Sequence, residues 1–479
     1  MVAKIVLKVI GFMMKGHTLR RLVRSLLDNK RYHIRILHNL FANTLAQAVN
    51  TFGQLVMVPL FLYFWGKELY GEWLLLSTIP AYFAMNDVGF AGAGATEMTV
   101  LVARNERAAA LEVFQSIWVL ISATSLFLLI ALASVLMWLP VDSWLNITHL
   151  GHWRTTLIIL LLLGQTAVSQ QTGLIQAGFR CEGSAALGVN WANALRMGEL
   201  LLTGGVVATG GQPLMVAAAA LFIRLAGTVL MRVHLYRVSP WLAFGWRHSR
   251  FAQIRRLAGP AFSFMAFPLG YALKNQGIVI VVGKFLGPVG VVVFTTVRTL
   301  TNAVFQLMGI IHLSVWPEMS AAFGSGDLHL AKGLHRHSCR ASFWLSVVSI
   351  IGLFFLGGWI YRIWTNGEIE LHLPLFYTLL LVIVANSIWY TSSMVPMAIN
   401  RHQRTALWFL AGAAMALALA TWMLPRLGLV GAGLALFAID AVMLCQVLPN
   451  SLALLQDRFL DFALVVLRPP LAWRAGGNQ

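Results

Sequence analysis

The chain has 479 residues, of which 58% are hydrophobic and 11% charged, with a mean hydropathy of +0.75. Soluble domains carry about a quarter charged residues, so a water-soluble globule is excluded. The 35 Lys and Arg against 17 Asp and Glu would suggest nucleic acid in a soluble protein. In so apolar a chain the excess reads as membrane topology, and no nucleic-acid partner is expected.

Residues 1–37 hold nine basic side chains, from Lys4 to Arg35, and no small-residue cleavage site. This segment is expected to be a cytoplasmic amphipathic lead-in on anionic membrane lipid. Apolar runs near the roughly 20 residues needed to cross a bilayer then recur. The predicted spans are 38–65, 69–94, 112–139, 155–178, 185–208, 213–236, 256–282, 288–315, 338–363, 372–398, 405–424 and 428–452. With both termini inside, 26 basic residues fall on cytoplasmic segments, five on outer ones and four within spans. The positive-inside bias favours that orientation strongly over its reverse. The expected organisation is a six-helix lobe over 38–236, a basic linker over 237–255, a second six-helix lobe over 256–452 and a cytoplasmic tail over 453–479.

Matching features recur along the two halves. Gly66-Lys67 answers to Gly283-Lys284, Glu97-Met98 to Glu318-Met319, Arg180 to Asn400 and Gly211 to Gly431, at separations of 217 to 221 residues. An even number of spans per repeat keeps both halves in one orientation. The expected fold is therefore an all-α polytopic membrane protein of about twelve helices, in two lobes related by a pseudo-two-fold axis along the membrane normal, with the substrate path between them.

Polar residues follow helical periodicity inside the spans. Span one carries Asn39, Asn43, Gln47, Asn50 and Gln54 on one face, and span eight carries Thr295, Arg298, Asn302 and Gln306. Span four adds Gln165, Ser169, Thr172 and Gln176, and span five adds Asn190, Asn193 and Arg196. Such faces belong against a neighbouring helix or a hydrated cleft, because an unpaired polar group in hydrocarbon costs several kcal/mol. Seven ionisable residues fall inside spans: Arg196, Arg224, Lys274 and Arg298 against Asp87, Glu199 and Asp440. Arg196 and Glu199, three apart, can neutralise each other, and Asp87 can cap or pair near its helix end. That leaves Arg224, Lys274 and Arg298 against Asp440, a cationic cavity suited to phosphate or another anion. Lys274 and Arg298 are the foremost candidates for contact with it.

Three stretches carry a family resemblance: YGEWLLLSTIPAYFAMNDVGFAGAGATEM (70–98), GKFLGPVGVVVFTTVRTLTNAVFQ (283–306) and WPEMSAAFGSGDLHLAKGLHRH (316–337). They resemble the O-antigen and polysaccharide lipid flippases of the multidrug/oligosaccharidyl-lipid/polysaccharide (MOP) exporter superfamily, over about residues 35–452. The resemblance implies a bacterial inner-membrane exporter. Its substrate would be an undecaprenyl-diphosphate-linked oligosaccharide, moved from the cytoplasmic to the periplasmic leaflet by alternating access. It also implies that spans one, two, seven and eight line the cavity, which puts Asn50, Gln54, Asp87, Lys274 and Arg298 in or near the path, with Asn302 and Gln306 on the same face as Arg298. A polysaccharide polymerase and a chain-length regulator are the implied partners.

One departure stands out. Many relatives carry an acidic residue in span seven where this chain reads Lys274-Asn275-Gln276-Gly277. If a proton or sodium gradient drives the cycle, Asp87, Glu199 or Asp440 is expected to carry the coupling. No cofactor and no metal site are expected, since Cys181, Cys339 and Cys445 are scattered and His335 and His337 read as solvated loop. Two alternatives share the fold: a multidrug or metabolite exporter, which favours an acidic cavity, and a lipid-linked peptidoglycan precursor flippase, which usually has two more spans. An enzyme, such as a glycosyltransferase or polymerase, would need a catalytic carboxylate in a sizeable outer loop. Glu68, Glu72, Asp142, Glu368 and Glu370 lie on segments too short for one, so no enzymatic activity is expected.

Overall fold

The computed structural model describes residues 30–84, 89–399, 401 and 403–469, so the basic lead-in before residue 30 and Asp87 lie outside the described residues. Among these, every regular element is helical. In chain order they are α1 (Lys30–Leu76), α2 (Ile79–Phe83), α3 (Phe90–Ala103), α4 (Arg107–Leu136), α5 (Val141–Trp144), α6 (His152–Cys181), α7 (Ala185–Ala208) and α8 (Pro213–Val238). There follow α9 (Phe251–Ala272), a π-turn (Leu273–Gly277), α10 (Ile278–Gly324), α11 (Leu328–Trp364), α12 (Leu373–Ser392), α13 (Met394–Ala398), α14 (Gln403–Leu427), α15 (Leu429–Leu454) and α16 (Phe459–Leu467).

Among the described residues, nine helical stretches are long and apolar enough to cross a membrane. Two of them, Thr44–Phe83 and Met265–Gly309, run 40 and 45 residues. Straight helices of that length would be about 60 Å long or more, twice a bilayer's hydrocarbon core. Each is in fact two crossings joined at a glycine with left-handed φ, Gly66 (φ 69°, ψ 176°) and Gly287 (φ 69°, ψ −176°). The reversal is visible in contacts a straight helix could not make. Phe61 stacks on Tyr70 with ring centroids 5.2 Å apart, and Arg298 Nη1 donates to Asn275 O at 2.9 Å across 23 residues. With α7, whose Asn190, Asn193, Arg196 and Glu199 lower its apolarity, the described residues make twelve crossings, in the two-lobed arrangement expected.

The two glycine hinges also correct the repeat. Gly283 sits inside α10, and the structural counterpart of Gly66 is Gly287, 221 residues on, the same shift that relates Glu97 to Glu318. A positive φ is what both hinges share, and glycine adopts it without a Cβ clash.

Caps follow from local chemistry. Pro213 opens α8, where its missing N–H is not needed. Asp327 Oδ1 accepts from Leu330 N at 2.9 Å to start α11, and His372 Nδ1 accepts from Leu375 N at 3.2 Å to start α12.

The packing is asymmetric along the bundle. At the Gly66 end one core joins both lobes, bringing Phe61, Leu62, Tyr70 and Leu75 against Ile278, Val282, Val291 and Phe294. Gly71 lets the hairpins approach there, since a side chain on it would collide with the Pro288 carbonyl. At the opposite, basic end the first lobe has its own core around Met98, Phe114, Phe179 and Leu235, and the second has another around Met319, Leu334 and Met394.

His335, expected in a solvated loop, is instead buried, because α11 begins at Leu328 and carries it inward. Its Nε2 lies 2.9 Å from Ser392 Oγ, and its ring stacks on Phe462 of α16 at 5.0 Å. That helix is anchored by Asp457, whose carboxylate takes both Arg336 Nε, at 2.8 Å, and Arg336 Nη2. Burial alone would raise the Asp457 carboxyl, but the Arg336 hydrogen bonds and charge outweigh it and hold it below the usual carboxylate range. Because the folded value is depressed, this stabilisation is complete above the ordinary carboxylate pKa and is lost as pH falls through the folded value. Acidification should therefore loosen α16 first, read as faster amide exchange over residues 459–467. Asp457→Asn should give fast exchange already at pH 7 and remove the acid dependence.

Candidate functional site

Between the lobes lies a cavity of about 510 Å³. Its first-lobe wall includes Gln54 on α1, Tyr70 and Trp73 on the second limb of α1, Ser77 in the turn that follows it, Gln165 on α6, and Arg196, Glu199 and Thr203 on α7. Its second-lobe wall is Gln276 of the π-turn, Val279, and Thr295, Thr296, Arg298 and Thr299 of α10. Helical periodicity explains the second wall, since 295, 298 and 299 recur at steps of three and four and share a face.

The charges within reach of this cavity are unevenly paired. Arg224 Nη2 donates to Glu199 Oε2 at 2.5 Å, and Arg196 Nη1 lies 3.6 Å from the same oxygen. Gln165 Nε2 donates to Glu199 Oε1. Glu199 is therefore shared by two guanidiniums, so Arg224, counted from the sequence as surplus, is its closer partner and sits behind the wall. The i, i+3 pair with Arg196 is the looser contact, and the Arg196 side chain is 48% exposed. Across the cavity Arg298 has no carboxylate partner among the described residues. Its guanidinium carbon lies 5.0 Å from the Phe294 ring centroid, and Nη1 donates to Asn275 O. Among the described residues, then, two guanidiniums, Arg196 and Arg298, and one carboxylate, Glu199, line the cavity, and its lining carries a net positive charge.

Lys274 is placed elsewhere. Its Nζ meets Asp440 Oδ2 at 2.9 Å inside the second lobe, and Asp440 Oδ1 accepts from Asn386 Nδ2 at 2.8 Å and Trp389 Nε1 at 2.7 Å. The pair is neutral and does not line the cavity, so the ammonium contributes no free charge to it. Of the polar stripes, Gln54 reaches the cavity and Gln306 bridges the lobes, bonding Thr51 Oγ1 at 2.6 Å and Gln54 Oε1 at 3.3 Å. Asn50 is exposed and Asn302 half-buried, both outside the lining. The stripes on α6 and α7 partly join helices within the first lobe: Asn193 Nδ2 donates to Ala42 O at 2.9 Å and Thr172 Oγ1 lies 2.9 Å from Thr228 Oγ1.

A second polar cluster closes the Gly66 end. Glu72, expected on an exposed outer loop, is fully buried. Its Oε1 accepts from Thr148 N at 2.7 Å, His149 N at 2.8 Å and meets His149 Nδ1 at 3.0 Å. The loop so fixed carries Asn146, in left-handed conformation (φ 54°), across the lobe boundary. Asn146 Nδ2 donates to Gly283 O at 3.1 Å and Lys284 O at 3.0 Å. The sequence showed Glu72 only as an acid near a turn; its role comes from the Gly66 reversal, which points it at the 148–149 amides.

No family model matches the chain, and no curated protein matches it by sequence. Solved structures do match by fold. The lipid II flippase MurJ, in an inward closed conformation, aligns at TM-score 0.68 and 13% identity over 90% of each chain. A multidrug resistance MATE transporter of the MOP superfamily, inward-facing, aligns at TM-score 0.64 and 13% identity over 86% of this chain and 98% of that one. A MOP-superfamily transporter from Pyrococcus furiosus, described as having a binding pocket of reversed polarity, aligns at TM-score 0.61 and 11% identity over 90% of this chain and 96% of that one. The chain thus shares the all-helical fold of these solved structures, and its apolar helices make it a multi-pass membrane protein.

Glu199→Ala should leave Arg224 buried without its carboxylate, at a cost of about 3–5 kcal/mol. The expected outcome is a lowered melting temperature and yield of folded protein in detergent. Arg196→Ala, which removes the more exposed partner, should have a much smaller effect in the same assay.

Proposed function

We propose that the protein is a flippase for undecaprenyl-diphosphate-linked oligosaccharides, O-antigen or other polysaccharide repeat units, in the bacterial inner membrane with both termini cytoplasmic. The observation that carries this reading is the sign of the cavity: Arg196 and Arg298 against Glu199 in its lining, with Arg298 unpaired by any carboxylate among the described residues. A diphosphate is a planar-fork ligand for arginine, and Thr295, Thr299, Gln276 and Gln54 supply the neutral donors and acceptors that sugar hydroxyls require. A cation or drug extruder calls for the opposite polarity. The basic residues concentrated on one side of the bundle support the orientation.

In the proposed cycle the head group enters from the basic end while the polyprenyl tail stays in lipid. The contacts at the Gly66 end then part as the lobes rock, and the head group leaves on the periplasmic side. No bond is made or broken, so the protein acts without enzymatic chemistry or a cofactor. A proton or sodium gradient is the driving force we propose. Glu199 and Asp440 are each engaged by cations and N–H donors, which leaves Asp87 as the coupling carboxylate to test first. A polymerase and a chain-length regulator would receive the flipped units.

The likeness to MurJ favours a second reading, a lipid-linked peptidoglycan precursor as cargo, with the same diphosphate chemistry. Depletion separates the two. Accumulation of complete oligosaccharide repeats on the inner leaflet, with loss of surface polysaccharide, is the outcome expected. Accumulation of peptidoglycan precursor with cell lysis would transfer the assignment to the second reading, and accumulation of neither would overturn both. Arg298→Ala, made at normal protein level, should reduce surface polysaccharide at least roughly tenfold, since hydrogen bonds to a charged group contribute about 1.5–3 kcal/mol. Wild-type surface polysaccharide in that variant would remove the cationic cavity from the mechanism.

A further inference from the structure

The π-turn Leu273–Gly277 interrupts the span that forms part of the cavity's second-lobe wall, and such turns recur at functional sites. Here four consecutive residues each serve a different neighbour. Lys274 pairs with Asp440 in the lobe core, Asn275 offers its carbonyl to Arg298, Gln276 lines the cavity, and Gly277 leaves room for Leu417 and the Tyr82 hydroxyl. A one-residue change of helical register rotates the following side chains by about 100°. If the turn relaxed to α-helix, neither the Asn275 carbonyl nor Gln276 would keep its present direction.

Asp440 is the anchor. It is fully buried and receives an ammonium from the π-turn and two N–H donors, Asn386 and Trp389, from α12. Three donors surround this carboxylate and occupy both of its oxygens. Arg298 is held at two points, the Asn275 carbonyl and the Phe294 ring, and uses one of its five N–H donors on the first. The remaining donors are available to a ligand in the cavity.

We propose that Lys274 and Asp440 are positioning residues: their ion pair holds the π-turn so that the Asn275 carbonyl aims Arg298 at an anion in the cavity. This rests on the anion-carrying reading above and deepens it, because it turns Lys274 from a ligand contact into a support for one. Holding a guanidinium ready saves ordering cost of about 0.5–1.5 kcal/mol per side chain on binding, which is roughly a two- to tenfold difference in affinity.

The test is titration calorimetry of inorganic pyrophosphate against the full-length protein in lipid nanodiscs. The double variant Lys274→Met/Asp440→Asn removes both charges together, which buried pairs often tolerate without loss of fold. It should bind roughly two- to tenfold more weakly than wild type. Lys274→Arg, which keeps the ion pair, should restore affinity to within about twofold, a rescue that loss of bulk packing would not predict. Arg298→Ala should bind more weakly than any of these. Should the double variant fail to fold, Trp389→Phe removes one donor from Asp440 and leaves the charges in place, with a weakening of about twofold expected. Wild-type affinity in the double variant, or in Trp389→Phe where that is the one measured, alongside lost binding in Arg298→Ala overturns the positioning role and leaves the anion cavity standing. Absence of pyrophosphate binding by the wild-type protein overturns both.

Discussion

A carboxylate inside a bilayer must be held by cations or donors, and the arrangement of this protein follows from how two of its carboxylates meet that demand. Glu199 takes Arg224, Arg196 and Gln165, and Asp440 takes Lys274, Asn386 and Trp389. Desolvated charge left alone costs several kcal/mol, so each acid fixes the rotation of the helices that serve it. Glu199 locks α6, α7 and α8 together, and Asp440 locks the π-turn, α12 and α15. With both acids satisfied inside their own lobes, Arg298 is left to face the cavity, and the cavity's sign is a remainder of the pairing on either side.

The same accounting separates this cavity from those suited to cationic cargo. Arg196 contributes a half-exposed guanidinium, Arg298 one held by a carbonyl and a ring, and the aromatic cluster of Phe61, Tyr70 and Trp73 forms a floor at the Gly66 end. Stacked rings beside neutral hydroxyls and amides suit the two faces of a sugar, apolar and polar. The fold shared with MurJ and MATE transporters leaves that choice open, because the side chains on a common frame set what is bound.

Much of the fold was legible in sequence because the bilayer enforces a length and hydropathy on every crossing, and basic residues mark the sides. The break points were less legible. Gly283-Lys284 copies the Gly66-Lys67 dipeptide, yet the reversal occurs at Gly287, where a positive φ is adopted; two glycines four residues apart look alike until the backbone is seen. Charge pairing was legible only within one helix. The three-residue spacing drew attention to Arg196 and Glu199, whereas the shorter contact to Arg224 depends on how α7 and α8 pack. Lys274 and Asp440, 166 residues apart, meet only after the second lobe closes. Glu72 was visible as a carboxylate near a turn, but its role was not, since its partners include backbone amides that any residues could have supplied.

The division of strong and weak contacts between and within lobes bears on how such a molecule could move. Among the described residues, the buried ion pairs are intralobe. Contacts across the boundary are neutral hydrogen bonds, from Asn146 to two carbonyls, from Trp364 Nε1 to Leu55 O at 2.8 Å and from Gln306 to Thr51 and Gln54. The charged exceptions are at the basic end, Glu97 with Arg256 at 2.7 Å and Glu112 with Arg250 at 3.1 Å and Gln253 at 3.3 Å, where both arginines are more than half exposed and solvent screening reduces each ion pair to about 0–1 kcal/mol. Neutral hydrogen bonds contribute about 0.5–1.5 kcal/mol each and can be exchanged for water when a boundary opens, whereas a buried ion pair split across it would strand two charges. Keeping the costly pairs inside each lobe makes the lobes rigid and the boundary yielding. Separation at the Gly66 end then costs a few exchangeable bonds and a patch of apolar contact, while Glu199 and Asp440 keep their partners throughout.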